Sequence, residues 1–187
     1  MVLPAADPEA FPLLVRTLSG GGIAIIPCDT IYGIVGIAPS TEQAIRAVKG
    51  RGDDKPFLQL IAEASWVGRL SAVEAPLSLS RHWPGPLTIV LPARAGGTVA
   101  LRVPDSPFLR RLLAELDRPL YSTSVNRSGE APVNTMDEIR RGFEKDVDLV
   151  LDGGPLSGRP STLVDASVRP CRVLRQGALV LPGEDLL

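Results

Sequence analysis

Apolar residues along the chain fall into short runs closed by polar or glycine- and proline-rich turns, and these runs alternate with segments of helical periodicity. The clearest run is Ile23 to Gly36, IAIIPCDTIYGIVG, where Cys28, Asp29 and Thr30 interrupt otherwise continuous apolar sequence. It reads as a buried strand ending in a polar turn. Such an interruption is either a satisfied turn between two core strands or a ligand site at the carboxyl end of a strand. Upstream, Asp7-Pro8-Glu9 supplies a cap, a proline at the first helical position and an acid in the first turn; Phe11, Leu14, Val15 and Leu18 then share one face. Pro12 is expected to distort that helix. Gly20-Gly21-Gly22 turns the chain into the strand Ile23 to Ile26. No Lys-Ser/Thr pair and no helix follow these glycines, so they read as a turn and not as a phosphate loop.

Downstream, Ser40-Thr41-Glu42-Gln43 has the form of a capping box, and Ala44, Ile45 and Val48 give the following helix its inner face until Lys49-Gly50-Arg51. Strands are expected at Phe57 to Ile61, Leu87 to Leu91, Val99 to Val103, Leu120 to Ser124, Leu149 to Leu151, Ser161 to Asp165 and Val173 to Gly177. Helices are expected over 65–70, 76–83 and 106–116, and from the capping box Thr135-x-x-Glu138 to about Phe143. Strands alternating with helices predict an α/β fold. Several late strands lack a crossover helix, so the expected sheet is mixed though largely parallel, with flanking helices.

Composition narrows this picture. A chain of 187 residues, 44% hydrophobic and 22% charged, fits a single globular domain over residues 1–187. Its 20 Lys+Arg and 21 Asp+Glu nearly cancel, so attraction to nucleic acid would need a local basic patch. Cys28 and Cys171 form neither a disulfide framework nor a metal-ligand spacing, which points to a reducing cytoplasm. No basic and apolar leader opens the sequence and no run approaches a membrane span. The 18 glycines and 18 prolines, spread throughout, imply many short elements joined by specified turns.

Familiar hydrolytic machinery finds little support. His82 is the one histidine, and nothing in the spacing ties it to Cys28 as a base for a thiol nucleophile. A protein zinc site lacks ligands. What remains is cations, hydroxyls and glycines at strand ends: Thr30, the Lys49-Gly50-Arg51 cluster within the charge run Arg46, Lys49, Arg51 and Lys55, then Thr88, Ser122, Ser124, Asn126, Ser161 and Arg175. The cation cluster also suits a solvated helix terminus. Taken together these groups suit a polyanion with a small polar co-substrate. Gly50-Arg51-Gly52-Asp53, with glycines flanking the arginine, is the candidate for a mobile loop.

The ordered motifs PxDTxYG at Pro27 to Gly33, KGR at Lys49 to Arg51, WPGPLT at Trp83 to Thr88, SxSxNxSG at Ser122 to Gly129, STLVD at Ser161 to Asp165 and LRxG at Leu174 to Gly177 resemble the YrdC/TsaC family over nearly the whole chain. The resemblance implies a YrdC-like fold and an L-threonylcarbamoyladenylate synthase, which joins L-threonine, bicarbonate and ATP with release of pyrophosphate. It implies Lys49 and Arg51 as the catalytic pair. ATP would be held by these two with Arg175, Ser124 and Asn126, lined by Pro84 and Pro132, with Lys55 at a position that varies in the family. Thr30, Thr88, Ser122 and Ser161 would line the threonine pocket. Mg2+ would be held mainly by the phosphates, with no protein metal site. A tRNA threonylcarbamoyl transferase complex would be the downstream partner, with contact to tRNA itself left open and no membrane involved.

There are departures from the family pattern. Cys28 stands where many members have threonine, Thr123 replaces a common proline, Pro160 a common glutamate, and Leu60 a histidine that binds threonine in some longer relatives. The sequence ends soon after Arg175, which matches the short form without a second domain. The alternatives are an RNA-binding or ribosome-maturation module without synthase activity, disfavoured by the sparse aromatic residues, and the carbamoyl-adenylate chemistry of much longer hydrogenase-maturation proteins.

Overall fold

The computed structural model describes residues 1–50, 52 and 56–187. In chain order the described residues form β1 (Val2–Pro4), α1 (Ala10–Ser19), β2 (Ala24–Pro27), β3 (Tyr32–Ile37), α2 (Glu42–Lys49) and β4 (Leu58–Leu60). Next come α3 (Val67–Leu70), α4 (Leu77–Ser80), β5 (Leu87–Pro92), β6 (Thr98–Arg102), α5 (Pro107–Leu116) and β7 (Leu120–Ser124). The chain closes with α6 (Met136–Phe143), β8 (Leu149–Asp152), β9 (Thr162–Asp165) and β10 (Arg172–Arg175).

All ten strands join one sheet in the order β1-β8-β2-β3-β7-β4-β6-β5-β9-β10. The mixed α/β sheet expected from the sequence is present, but it is not largely parallel. Four neighbouring pairs are parallel (β1·β8, β2·β8, β4·β6, β5·β9) and five are antiparallel. For β2·β3 and β5·β6 the physical reason is a short link, which only antiparallel neighbours can use, while β3·β7 and β4·β7 are antiparallel through long-range pairing.

Both faces of the sheet are covered, and the alternation of side chains sorts the core into two layers. From β2 and β3, Ala24, Ile26, Val35 and Ile37 pack into the layer that includes Leu14 and Leu18 of α1 and Leu109, Leu112 and Leu113 of α5. Ile23, Ile25, Tyr32 and Ile34 pack into the opposite layer with Ile45 and Val48 of α2 and Ile139 and Phe143 of α6. No helix among the described residues is long and apolar enough to cross a membrane.

Local elements differ from expectation where short-range chemistry decides. Pro12 is the third residue of α1, where its missing N–H would have had no intrahelical partner, and the helix continues through it. Ser40 and Thr41 do not cap α2; both hydroxyls donate backward to the Ile37 carbonyl. Thr135 donates to the Glu138 side chain and caps no backbone N–H. The helices expected at 65–70 and 76–83 shrink to a 3-10 turn at Ala64–Trp66 with α3, and to α4.

Candidate active site

The strand ends and the loops that follow them enclose a cavity of about 400 Å³. Its construction starts with α2, which ends at Gly50 in the left-handed conformation at φ 58°, a geometry that glycine adopts without strain. This termination leaves Lys49 as the last helical residue, 3% exposed. Its Nζ donates to the Ser124 carbonyl at 2.8 Å and to Asn126 Oδ1 at 2.5 Å. Ser124 Oγ donates to the same Asn126 oxygen at 2.6 Å, and Asn126 Nδ2 is anchored on the carbonyls of Arg127 and Glu130. An ammonium, a hydroxyl and an amide are thereby locked at one end of the cavity, which Pro132 also lines.

The other end is built from β5, β6 and β9. Antiparallel pairing of β5 with β6 and parallel pairing of β5 with β9 bring Thr88, Arg102 and Ser161 together. Thr88 Oγ1 and Ser161 Oγ share a hydrogen bond of 2.8 Å, both side chains buried. Arg175, from β10, donates through Nε and Nη2 to the Ser161 carbonyl at 3.2 and 2.9 Å. Burial first, and then the nearby Arg102 charge, lower the Arg175 guanidinium from its ordinary value. Both guanidinium groups therefore stand on the same wall of the cavity, where an opposite charge would offset their mutual repulsion. Among the described lining residues, the charged side chains are Lys49, Arg102 and Arg175, and none is acidic.

Of the residues singled out for ATP, Lys49, Ser124, Asn126, Pro132 and Arg175 line this cavity. Of those singled out for threonine, Thr30, Thr88, Ser122 and Ser161 do so. Pro84 is exposed in the turn before β5 and is not part of the cavity wall. Arg51 and Lys55, and most of the loop Gly50 to Asp53, lie outside the described residues. Arg46 is engaged elsewhere, paired with Glu42 at 2.7 Å and lying over the Phe57 ring at 5.0 Å.

Sequence reasoning missed Arg102. It is 4% exposed, ends β6 and faces Leu60 across the β4·β6 pair. Leu60 itself is core, 2% exposed and absent from the cavity wall. A signal existed: a lone arginine in the apolar run Val99 to Val103 must find a buried partner, and Asp29 stood unexplained in another apolar run.

Cys28 also lines the cavity. Burial first, then the Asp29 charge, push its thiol up to about 12, while Arg102 and a hydrogen bond with Ser122 pull it down less. At neutral pH it is a thiol and not a nucleophilic thiolate. The folded protein is thus expected to resist alkylation at Cys28 at about pH 8, and Cys28→Ser is expected to keep most activity. Iodoacetamide labelling followed by peptide mass analysis, beside turnover of the variant, checks both. The sign of the shift adds a stability prediction: the contribution of the half-buried Cys28 thiol is complete below its ordinary value of 9.0 and is lost as pH rises toward 12.

The fold and site define an α/β protein with a mixed sheet whose strand ends carry a cationic, hydroxyl-lined pocket, with no carboxylate among its described lining residues. The chain belongs to the Sua5, YciO and YrdC family: that family model, described as telomere recombination, matches residues 16–177. The threonylcarbamoyl-AMP synthase of Nitrosococcus oceani is 33% identical over 159 residues, covering 75% of this chain and 84% of that protein. That of Pyrococcus abyssi is 32% identical over 177 residues, and this chain spans 52% of its length. The structure of P. abyssi Sua5 complexed with L-threonine is similar at a TM-score of 0.86 and 26% identity, covering 96% of this chain and 58% of that one.

Proposed function

We propose that this chain is an L-threonylcarbamoyladenylate synthase, which condenses L-threonine, bicarbonate and ATP to threonylcarbamoyl-AMP and pyrophosphate for N6-threonylcarbamoyladenosine formation in tRNA by a downstream transferase. The observation that carries the reading is the cavity wall, with Lys49, Arg102 and Arg175 around buried hydroxyls and no described carboxylate. The similarity to threonylcarbamoyl-AMP synthases supports it.

In this reading threonine's amine and bicarbonate give a carbamate with loss of water, and a carbamate oxygen then displaces pyrophosphate at the α-phosphorus of ATP. Positioning and neutralisation of charge carry most of such a transfer, and no covalent nucleophile is required. Lys49 and Arg175, with Arg51 and Lys55, neutralise the phosphates, while Ser124 and Asn126 hold the nucleotide beside Pro132. Thr30, Thr88, Ser122 and Ser161 surround the amino acid, and Arg102 takes its carboxylate. The described wall offers hydroxyls and amides but no carboxylate, so magnesium accompanying ATP would be held mainly by the phosphates.

Mass analysis of mixtures containing ATP, L-threonine and bicarbonate is expected to detect threonylcarbamoyl-AMP only when all three are present. Binding of RNA by a protein that forms no adduct would instead favour the RNA-binding module.

A further inference from the structure

Arg102 owes its orientation to two groups from other elements. Its Nε donates to the Gly85 carbonyl at 3.0 Å and its Nη2 to Asp29 Oδ2 at 2.5 Å. The two paired side chains are 5% and 8% exposed. Among the described residues nothing accepts from Nη1, and Arg102 lines the cavity. A planar guanidinium gripped on two of its edges presents its remaining N–H groups in a fixed direction.

Asp29 is held in turn, since Oδ2 also accepts from the Asp105 backbone N–H at 3.0 Å. Its Oδ1 is buried and has no hydrogen-bond partner among the described residues. Stability alone gives little reason to keep such a group. A buried ion pair seldom outperforms apolar packing, and an unsatisfied buried oxygen carries a desolvation penalty. What a carboxylate does supply is a fixed negative charge behind Arg102, at a place outside the cavity wall. Asp29 also lies in the loop between β2 and β3, directly before Thr30, so the same contact ties that loop to the end of β6.

We propose that Asp29 is a positioning residue for the amino-acid substrate: it aims the Arg102 guanidinium at the substrate carboxylate and sets the Thr30 loop against it. The proposal rests on the synthase reading and adds a residue that touches no substrate.

The test compares the full-length wild type with Asp29→Asn, which keeps the size and one acceptor but removes the charge. Steady-state rates are measured with threonine and ATP varied separately, and threonine binding is measured by calorimetry without ATP. The expected result is a rise in KM and Kd for threonine of roughly tenfold or more, with KM for ATP within about twofold. In an Arg102→Lys background the same change is expected to add less than about threefold, because the group it positions is gone. Asp29→Glu, which keeps the charge but lengthens the arm, serves if the Asn variant does not fold, and the same threonine-selective loss is expected. Unchanged threonine binding in the folded variant, or equal rises in both KM values, would overturn the inference alone. A wild type that binds ATP but no threonine would overturn the synthase reading and this inference together.

Discussion

Lys49→Ala is expected to lower ATP- and threonine-dependent pyrophosphate release by at least about 100-fold, the size of effect seen when a preorganised charge at a transferring group is removed. Lys49 is 3% exposed and its ammonium is fixed by Ser124 and Asn126, so it needs little reorganisation when charge develops on the phosphates. Removing it also takes a donor from two acceptors, a loss of about 1–3 kcal/mol in stability. Turnover is therefore compared well below each protein's thermal transition, where the Ala variant remains folded. Lys49→Arg is not expected to rescue, because a planar fork cannot replace a compact ammonium between the Ser124 carbonyl and the Asn126 amide. A Lys49→Ala variant within about threefold of wild type would remove Lys49 from the proposed phosphate site.

Gly158→Ala is expected to act on the opposite end of the cavity. A Cβ at this position would lie 2.0 Å from the Thr30 carbonyl oxygen and 2.7 and 2.9 Å from its C and Cα atoms. Every one of these is backbone, so no side chain can swing away and the Thr30 loop or the Gly158 segment must move. Overpacking of this kind costs about 1–3 kcal/mol, visible as a lowered thermal transition. The contact is with Thr30, and where its loop yields, a rise of roughly tenfold in KM for threonine with little change for ATP is expected. An Ala variant with wild-type stability and threonine KM would mean that the close approach of Gly158 does not set the position of Thr30.

Legibility in the sequence followed local chemistry. The β2 and β3 strands could be read because uninterrupted apolar residues flank a polar turn. The strand β1 could not, because Val2 and Leu3 are too few to give a period, and they pair only through the distant Val150 and Leu151. Thr88 and Ser161 were legible as hydroxyls at strand ends, yet their mutual hydrogen bond depends on the β5·β9 pairing, which no local pattern encodes. The antiparallel share of the sheet was underestimated because alternation of helices and strands was weighed above the short links. Arg102 and Asp29 mark the main gap. Arg102 is a single charge in an apolar run without a motif around it, Asp29 is a motif position to which no role was assigned, and only the fold reveals that the two pair across 73 residues of sequence. Together they turn the polar break at Cys28 to Thr30 from a simple turn into a support for the proposed substrate site.

The most direct measurement is pyrophosphate release with each substrate omitted in turn. The synthase reading predicts release that requires ATP, L-threonine and bicarbonate together; release from ATP that is indifferent to threonine would contradict it.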